Sequence, residues 1–182
     1  EMDQYMLAYS CRLLRRWIDT GKQVLPISVN LSRSLFANTN LVDDLKAIVE
    51  RYGVPFNLIE LEIKEQSILR DNEEISEKVN QLHQLGFRIA IDDFGTGYFS
   101  LHCMKNLPPA VIKLDKTMID RWQQEGDSQL MADIVTMARH MGLVVLIEGI
   151  ETEEQLDMAR SVGCEIAQGF YYAHPMSVEA CE

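Results

Sequence analysis

The chain has 182 residues, of which 47% are hydrophobic and 25% charged, and its formal net charge is −11. This size and composition are typical of a globular domain with a hydrophobic core. The negative charge argues against binding a DNA or RNA polymer, since phosphate backbones attract Lys and Arg. No apolar run would span a bilayer, no signal-peptide pattern opens the chain, and the four cysteines are widely scattered. These features predict a cytoplasmic protein.

Helical and strand-like patterns alternate along the chain. In chain order they predict a helix over residues 2–20, a strand over 24–30, a helix over 41–52, a strand over 59–63, a helix over 75–85, a strand over 89–92, a long loop, a strand over 111–114, a helix over 130–141, a strand over 144–147, a helix over 152–163 and a final strand ending near 168. Thr152 and Gln155 have the spacing of a capping box.

This alternation predicts an α/β fold with a parallel sheet, formed as one domain over residues 1–182. About six strand–helix units are present, whereas a complete (β/α) barrel has about eight. The sheet is therefore either open, or part of a barrel whose first strands precede this sequence.

Polar residues stand at or just after the end of every predicted strand. They are Asn30, Glu62, Asp92, Asp93, Lys113, Asp115, Glu148, Glu151 and Gln168. Singly, each has an ordinary explanation as a turn former or helix cap. Because the carboxyl ends of parallel strands meet at one edge, where α/β active sites form, the set as a whole predicts a functional site.

The chemistry of this set indicates a metal site. Two carboxylates about 4 Å apart repel by roughly 4 kcal/mol at an effective dielectric near 20, so a cluster of them requires cations or raised pKa values. Oxygen ligands suit Mg²⁺ or Mn²⁺ better than zinc. Two such ions activate water for phosphoryl transfer, and Lys113 would hold the water or neutralise a phosphate oxygen. The residues alone therefore predict a metal-dependent α/β enzyme with a phosphorylated substrate.

Six motifs in order carry a resemblance to a known family: Ser28-Val29-Asn30-Leu31-Ser32, Glu60-Leu61-Glu62-Ile63-Lys64-Glu65, Asp92-Asp93-Phe94-Gly95-Thr96-Gly97-Tyr98, Ile112-Lys113-Leu114-Asp115, Glu148-Gly149-Ile150-Glu151-Thr152 and Gln168-Gly169-Phe170. Together they resemble the EAL-domain family of bacterial phosphodiesterases, which hydrolyse the second messenger cyclic di-GMP. The resemblance implies a TIM-like barrel, here with about six of its eight strands. The implied product is linear pGpG.

The resemblance also implies roles for single residues. Its implied metal ligands for two Mg²⁺ or Mn²⁺ ions are Asn30, Glu62, Asp92 (as a bridge) and Asp93, with Glu148 at or beside the second ion. Lys113, Glu148 and Glu151 form the implied catalytic centre. Within it, Lys113 and Glu151 would position or activate water. Asp115 and Gln168 would contact substrate, and Glu65 would stabilise the loop over residues 94–100, which in this family leads to a dimer interface. The resemblance implies a homodimer and fused sensor or cyclase domains for the parent protein. Both a membrane-anchored and an unanchored parent protein stay open.

Three positions depart from the family pattern. The Glu-Ala-Leu signature does not occur in the 182 residues, so one expected ligand Glu would lie upstream and this chain alone would be impaired. Lys64 replaces a usual Thr, and we expect it on the outer face of its strand. Phe99 replaces a usual Ser.

Two other functions stay open. One is a non-catalytic module that binds cyclic di-GMP or a protein partner, which the departures favour. The other is an enolase-like barrel enzyme with Lys113 as its base and one Mg²⁺. The adjacent Asp92 and Asp93 and the glycine loop after them fit the phosphodiesterase better.

Overall fold

The structure is a computed structural model that describes residues 2–68, 73–95, 107, 109–125 and 128–181. Its strands are β1 (Ile27–Leu31), β2 (Ile59–Lys64), β3 (Arg88–Phe94), β4 (Val111–Leu114), β5 (Val144–Ile147) and β6 (Ile166–Ala167). Its α-helices are α1 (Met2–Asp19), α2 (Leu41–Tyr52), α3 (Glu65–Ile68), α4 (Glu73–Gln84), α5 (Lys116–Glu125), α6 (Ser128–His140), α7 (Glu153–Ser161) and α8 (Val178–Cys181). The chain divides into two compact units, with the boundary in β3 between Asp92 and Asp93.

The first unit contains three parallel strands in the order β1, β2, β3. Side chains alternate between the two faces of a strand, so residues in register share a face. Val29, Leu61 and Ile89 are in register and are all buried. Helix α1 packs against β1 and α2. One face of these strands therefore belongs to the hydrophobic core of the unit, and the opposite face is left for polar residues.

The second unit contains three parallel strands in the order β4, β5, β6. Ile112 of β4 lies in register with Val145 of β5, and both are buried. Helix α6 packs on β5 and buries Val135 and Ala138. The parallel register brings the carboxyl ends of β4 and β5 to the same edge of this unit.

The α/β prediction is confirmed, and all described strand pairs within each unit are parallel. Strand β1 begins three residues later than predicted, directly after Pro26, whose backbone nitrogen has no hydrogen to donate. The predicted long loop lies mostly outside the described residues. No helix in the described part of the chain is both long and apolar enough to cross a membrane. The assignment of residues 1–182 to one domain stays a prediction.

Helix α5 was not predicted, although the sequence contains its signals. The carboxylate of Asp115 accepts hydrogen bonds from the backbone N–H (2.9 Å) and the hydroxyl (2.5 Å) of Thr117, as a helix cap does. Ile119 and Trp122 then follow at helical spacing and are buried. Asp115 has two interpretations in the sequence, as a site residue and as a turn former or helix cap, but residues 116–125 are not predicted as a helix.

Candidate functional site

Three predicted ligands in the first unit share one face of its strands. Asn30 of β1 lies in register with Glu62 of β2, and Asp92 follows two positions after Ala90, the β3 partner of Glu62. Glu62 and Asp92 are only 7% and 8% exposed, whereas Asn30 is exposed. The structure thus places these three side chains on the same face, toward the carboxyl ends of adjacent strands.

The same face carries a polar ladder that the sequence analysis did not identify. Glu60 accepts a hydrogen bond from the Ser28 hydroxyl at 3.0 Å and another from Arg88 Nε at 3.2 Å. The three residues are in register across β1, β2 and β3. Alternation of polar residues in Ser28-Val29-Asn30 and Glu60-Leu61-Glu62 was the available signal. These two hydrogen bonds stabilise the register of the three strands. The same register aligns Asn30 with Glu62, two residues further along β1 and β2.

The position of Lys64 differs from the expectation. Lys64 comes two residues after Glu62, so strand alternation places it on the same face as that carboxylate, not on the outer face. It is also the register partner of Asp92. A cationic side chain therefore accompanies two predicted metal ligands in this unit, at the exposed end of β2.

Asp93, the first residue of the second unit, has a left-handed backbone conformation. Its φ is 54°, and no other non-glycine residue in the described ranges has a positive φ. This left-handed conformation is uncommon for residues other than Gly, Asn and Asp, and it concentrates at functional sites. Gly95 follows with a φ of 89°. The chain therefore turns sharply directly after Asp92, at the second of two predicted ligand residues that are adjacent in the sequence.

Lys113 and Glu148 form an ion pair across the ends of β4 and β5. Lys113 Nζ lies 2.6 Å from Glu148 Oε1, and the two side chains are 6% and 23% exposed. The backbone N–H of Glu148 donates to the Leu114 carbonyl at 3.0 Å, which continues the strand pairing by one residue. A nearly buried ammonium group is thus held against a carboxylate that was predicted to lie at the second metal.

Glu151 has a second cation as its partner. Lys116 Nζ lies 2.5 Å from Glu151 Oε1, with both side chains about half-exposed. The predicted capping box is confirmed: Thr152 Oγ1 accepts from the Gln155 backbone N–H, and the Gln155 side chain accepts from the Thr152 backbone N–H. Glu151 and the capping box are among the residues predicted from the sequence, whereas Lys116 is not.

The other predicted residues have ordinary structural contacts. Asp115 caps α5, as described above, and Gln168 is exposed while its backbone bonds to Ile147 and Ile150 at 2.8 and 3.0 Å. Glu65 is fully buried at the start of α3. Residues 96–100 of the loop that Glu65 was predicted to stabilise lie outside the described residues. The substrate and loop roles of these three side chains stay predictions.

The donor set of the first unit fits Mg²⁺ or Mn²⁺. It offers an amide oxygen and carboxylate oxygens, with neither thiolate nor imidazole, and hard divalent ions prefer such ligands. Buried carboxylates such as Glu62 and Asp92 also need a compensating cation. Within the described ranges, however, no group of three or more His, Cys, Asp and Glu residues is arranged to hold a metal ion. The metal assignment therefore stays a prediction.

The EAL domain model matches residues 1–175 of the chain. A curated relative, the bifunctional diguanylate cyclase/cyclic di-GMP phosphodiesterase MucR of Pseudomonas aeruginosa, is 34% identical over 180 residues, which is 98% of this chain and 26% of that protein. A solved structure described as the PaMucR phosphodiesterase in complex with c-di-GMP has a TM-score of 0.93 at 34% identity and covers 100% of this chain and 74% of that one.

A second solved structure, a manganese/cy-diGMP complex of Klebsiella pneumoniae BlrP1, has a TM-score of 0.82 at 26% identity. This match covers 95% of the present chain and 44% of that one. The chain spans about a quarter of the length of the first curated relatives it matches. The motifs, the fold and these matches agree, and the chain belongs to the EAL domain family.

Proposed function

We propose that this chain is the part of a cyclic di-GMP phosphodiesterase that binds two divalent metal ions and hydrolyses cyclic di-GMP to linear pGpG. The observation that carries the proposal is the shared face of Asn30, Glu62 and Asp92 in a member of the EAL family. A relative, MucR, is named as a cyclic di-GMP phosphodiesterase. The proposed reaction adds water across one P–O bond, so the product has a new 5′-phosphate and a free 3′-hydroxyl.

The proposed ligands are Asn30, Glu62, Asp92, Asp93 and Glu148. When bound, the two Mg²⁺ or Mn²⁺ ions would lower the pKa of water and stabilise charge on the attacking and leaving oxygens. Lys113 supplies positive charge next to Glu148, and Lys64 is the register partner of Asp92.

Lys113 and Glu151 are the proposed water-positioning residues. Burial restricts the Lys113 side chain, and the Glu148 carboxylate accepts from its ammonium group, so this cation is held in place before substrate binds. The proposed function of Lys113 is to hold water or a phosphate oxygen, and that of Glu151 is to orient or activate water. Asp115 and Gln168 would contact substrate, and Glu65 would stabilise the loop after β3.

We also propose that the parent protein is a homodimer with fused regulatory domains in the bacterial cytoplasm. The MucR relative is named as a diguanylate cyclase as well as a phosphodiesterase. Another relative, DosP of Escherichia coli, is named an oxygen sensor protein. The sensor or cyclase domain of the present parent protein would control the hydrolytic reaction.

The test measures the conversion of cyclic di-GMP to pGpG in reactions with and without Mn²⁺, with the products separated by chromatography. It would be measured on this chain and on a version extended upstream through the Glu-Ala-Leu strand. Turnover that requires Mn²⁺ and is abolished by Glu62→Gln is expected from the extended form, with less from the 182-residue chain. The matched control is Glu50→Gln, which removes an exposed carboxylate on α2 that pairs with Lys46. No turnover from either form would overturn the proposed activity.

The second candidate is a non-catalytic module that binds cyclic di-GMP. The observation that favours it is the position of Lys64. This residue is the register partner of Asp92, and strand alternation places it on the face of the proposed metal ligands. Binding of cyclic di-GMP by the extended form without any hydrolysis would select this candidate. Absence of both binding and hydrolysis would exclude both candidates.

A further inference from the structure

A second cation, Lys116, stands beside the first lysine–glutamate pair of the second unit. The pairs Lys113–Glu148 and Lys116–Glu151 have ion-pair distances of 2.6 and 2.5 Å. The first pair joins β4 to the residue that follows β5, and the second joins the first residue of α5 to the residue before Thr152, the cap of α7. The step from one pair to the next is three residues in both segments. The second pair thus continues the first along the edge where the proposed chemistry occurs.

The stem of Lys116 is fixed by Gly149. A Cβ atom added to Gly149 would lie 2.6 Å from Lys116 Cβ and 2.7 Å from its Cγ, so the lysine stem crosses directly over the glycine. Most surface lysines keep a mobile stem, and holding such a chain in one geometry offsets much of what an exposed ion pair contributes. Here packing against Gly149 restricts the stem before the ammonium group meets Glu151.

The backbone of Glu151 is fixed independently of Lys116. Its N–H donates to Gln155 Oε1 at 2.7 Å, and Gln155 is buried with 6% exposure. The capping box with Thr152 sets the start of α7. With the backbone of Glu151 held in this way, only its side chain can still adopt different conformations. The ion pair with Lys116 favours one of them. The hydrogen bond to Glu151 also raises the pKa of Lys116.

We propose that Lys116 is a positioning residue that holds the Glu151 carboxylate in the orientation needed to act on the attacking water. This inference rests on the proposed function. It assigns Lys116 an effect on the chemical step through Glu151, without contact to substrate or metal. Loss of Lys116 should therefore lower kcat and leave KM and Mn²⁺ affinity unchanged, because only the orientation of a group used in the transition state is lost.

The experiment compares Lys116→Met with Lys116→Arg and with Glu151→Gln in the extended protein. We expect Lys116→Met to lower kcat about tenfold, Lys116→Arg to recover most of the loss, and the Lys116→Met/Glu151→Gln double variant to be no slower than Glu151→Gln alone. The matched control is Lys46→Met, which removes a lysine of the same 41% side-chain exposure from an ion pair on α2. Unchanged kcat in Lys116→Met, or additive losses in the double variant, would overturn the proposal.

A second readout separates this inference from the proposed function. An ammonium group held in an ion pair gives a protected ¹⁵N NMR signal, which we expect for Lys116 in the wild type and not in Glu151→Gln. Absence of that signal in the wild type would overturn the positioning role whatever the activity. Presence of the signal in a protein without turnover would overturn the proposed function and the catalytic consequence, while the Lys116–Glu151 contact itself would stand.

Discussion

Lys113 holds Glu148 across the ends of β4 and β5 with a 2.6 Å ion pair, and its side chain is only 6% exposed. Lys113→Met should lower the free energy of unfolding by about 1–3 kcal/mol, because the Glu148 carboxylate loses its charged partner in a partly buried site. Urea denaturation measures the loss. Lys113→Met/Glu148→Gln should cost less than the sum of the two single variants, and strictly additive losses would contradict the coupling.

The left-handed backbone of Asp93 predicts a separation between stability and function. Asp93→Asn should keep the thermal stability, since Asn tolerates a φ of 54°, but should lose Mn²⁺ binding with the charge. Asp93→Ala should in addition lose about 1 kcal/mol of stability, since Ala adopts this conformation reluctantly. Calorimetric Mn²⁺ titration and thermal unfolding of both variants provide the measurements. Equal stability of the two variants would show that the backbone conformation carries no strain.

Gly95 lies against Met118 of α5, and this contact predicts a steric effect. A Cβ atom at Gly95 would overlap the Met118 sulfur, and the φ of 89° disfavours any side chain. We expect Gly95→Ala to lower the free energy of unfolding by about 1–3 kcal/mol. Adding Met118→Ala should recover only the steric part of the loss. Full recovery in the double variant would assign the whole effect to Met118.

The register of Lys64 with Asp92 predicts an effect on metal affinity. A unit charge about 5–8 Å from a divalent ion repels it by roughly 1–2 kcal/mol in water. Lys64→Thr should therefore raise Mn²⁺ affinity about tenfold, as measured by calorimetric titration. Lys46→Thr, on α2, serves as the control for general charge effects. A lower affinity in Lys64→Thr would mean that Lys64 supports the site.

We expect the buried thiols of Cys11 and Cys164 to make the protein less stable at high pH. Burial raises the pKa of Cys11 from 9.0 to about 11 and that of Cys164 to about 12. Both groups hold their protons more tightly in the folded than in the unfolded chain. Their contribution is thus fully present below pH 9 and is lost as the pH rises through 11 for Cys11 and through 12 for Cys164. Chemical denaturation between pH 8 and 11 should show this decline, and Cys11→Ala should make it shallower.

Thiol labelling gives an independent check of the same burial. In a Cys103→Ser background at pH 8, a disulfide reagent should modify the exposed Cys181 first and Cys11 and Cys164 much more slowly, because thiolate is the reactive form. Labelling of Cys11 as fast as Cys181 would contradict its burial in α1.

Local structure could be predicted from the sequence because its causes are local. Strand runs, glycine helix ends and the Thr152–Gln155 capping box depend on residues within a few positions, and the structure confirms that box. The strand ends likewise identified Glu62, Asp92 and Glu148 as candidates, since apolar runs stop at these carboxylates. Helix α5 was not predicted, although Asp115 is a possible cap and Ile119 and Trp122 follow it at helical spacing.

The sequence by itself determined that this chain is an α/β member of the EAL domain family with acidic residues at the ends of its strands. Only the tertiary structure decided which charges meet: Lys113 with Glu148, Lys116 with Glu151, and Lys64 in register with Asp92. The physical reason is that each of these partnerships joins segments about 30 residues apart through the register of parallel strands. Register depends on packing across the whole sheet, and no local pattern of residues specifies it.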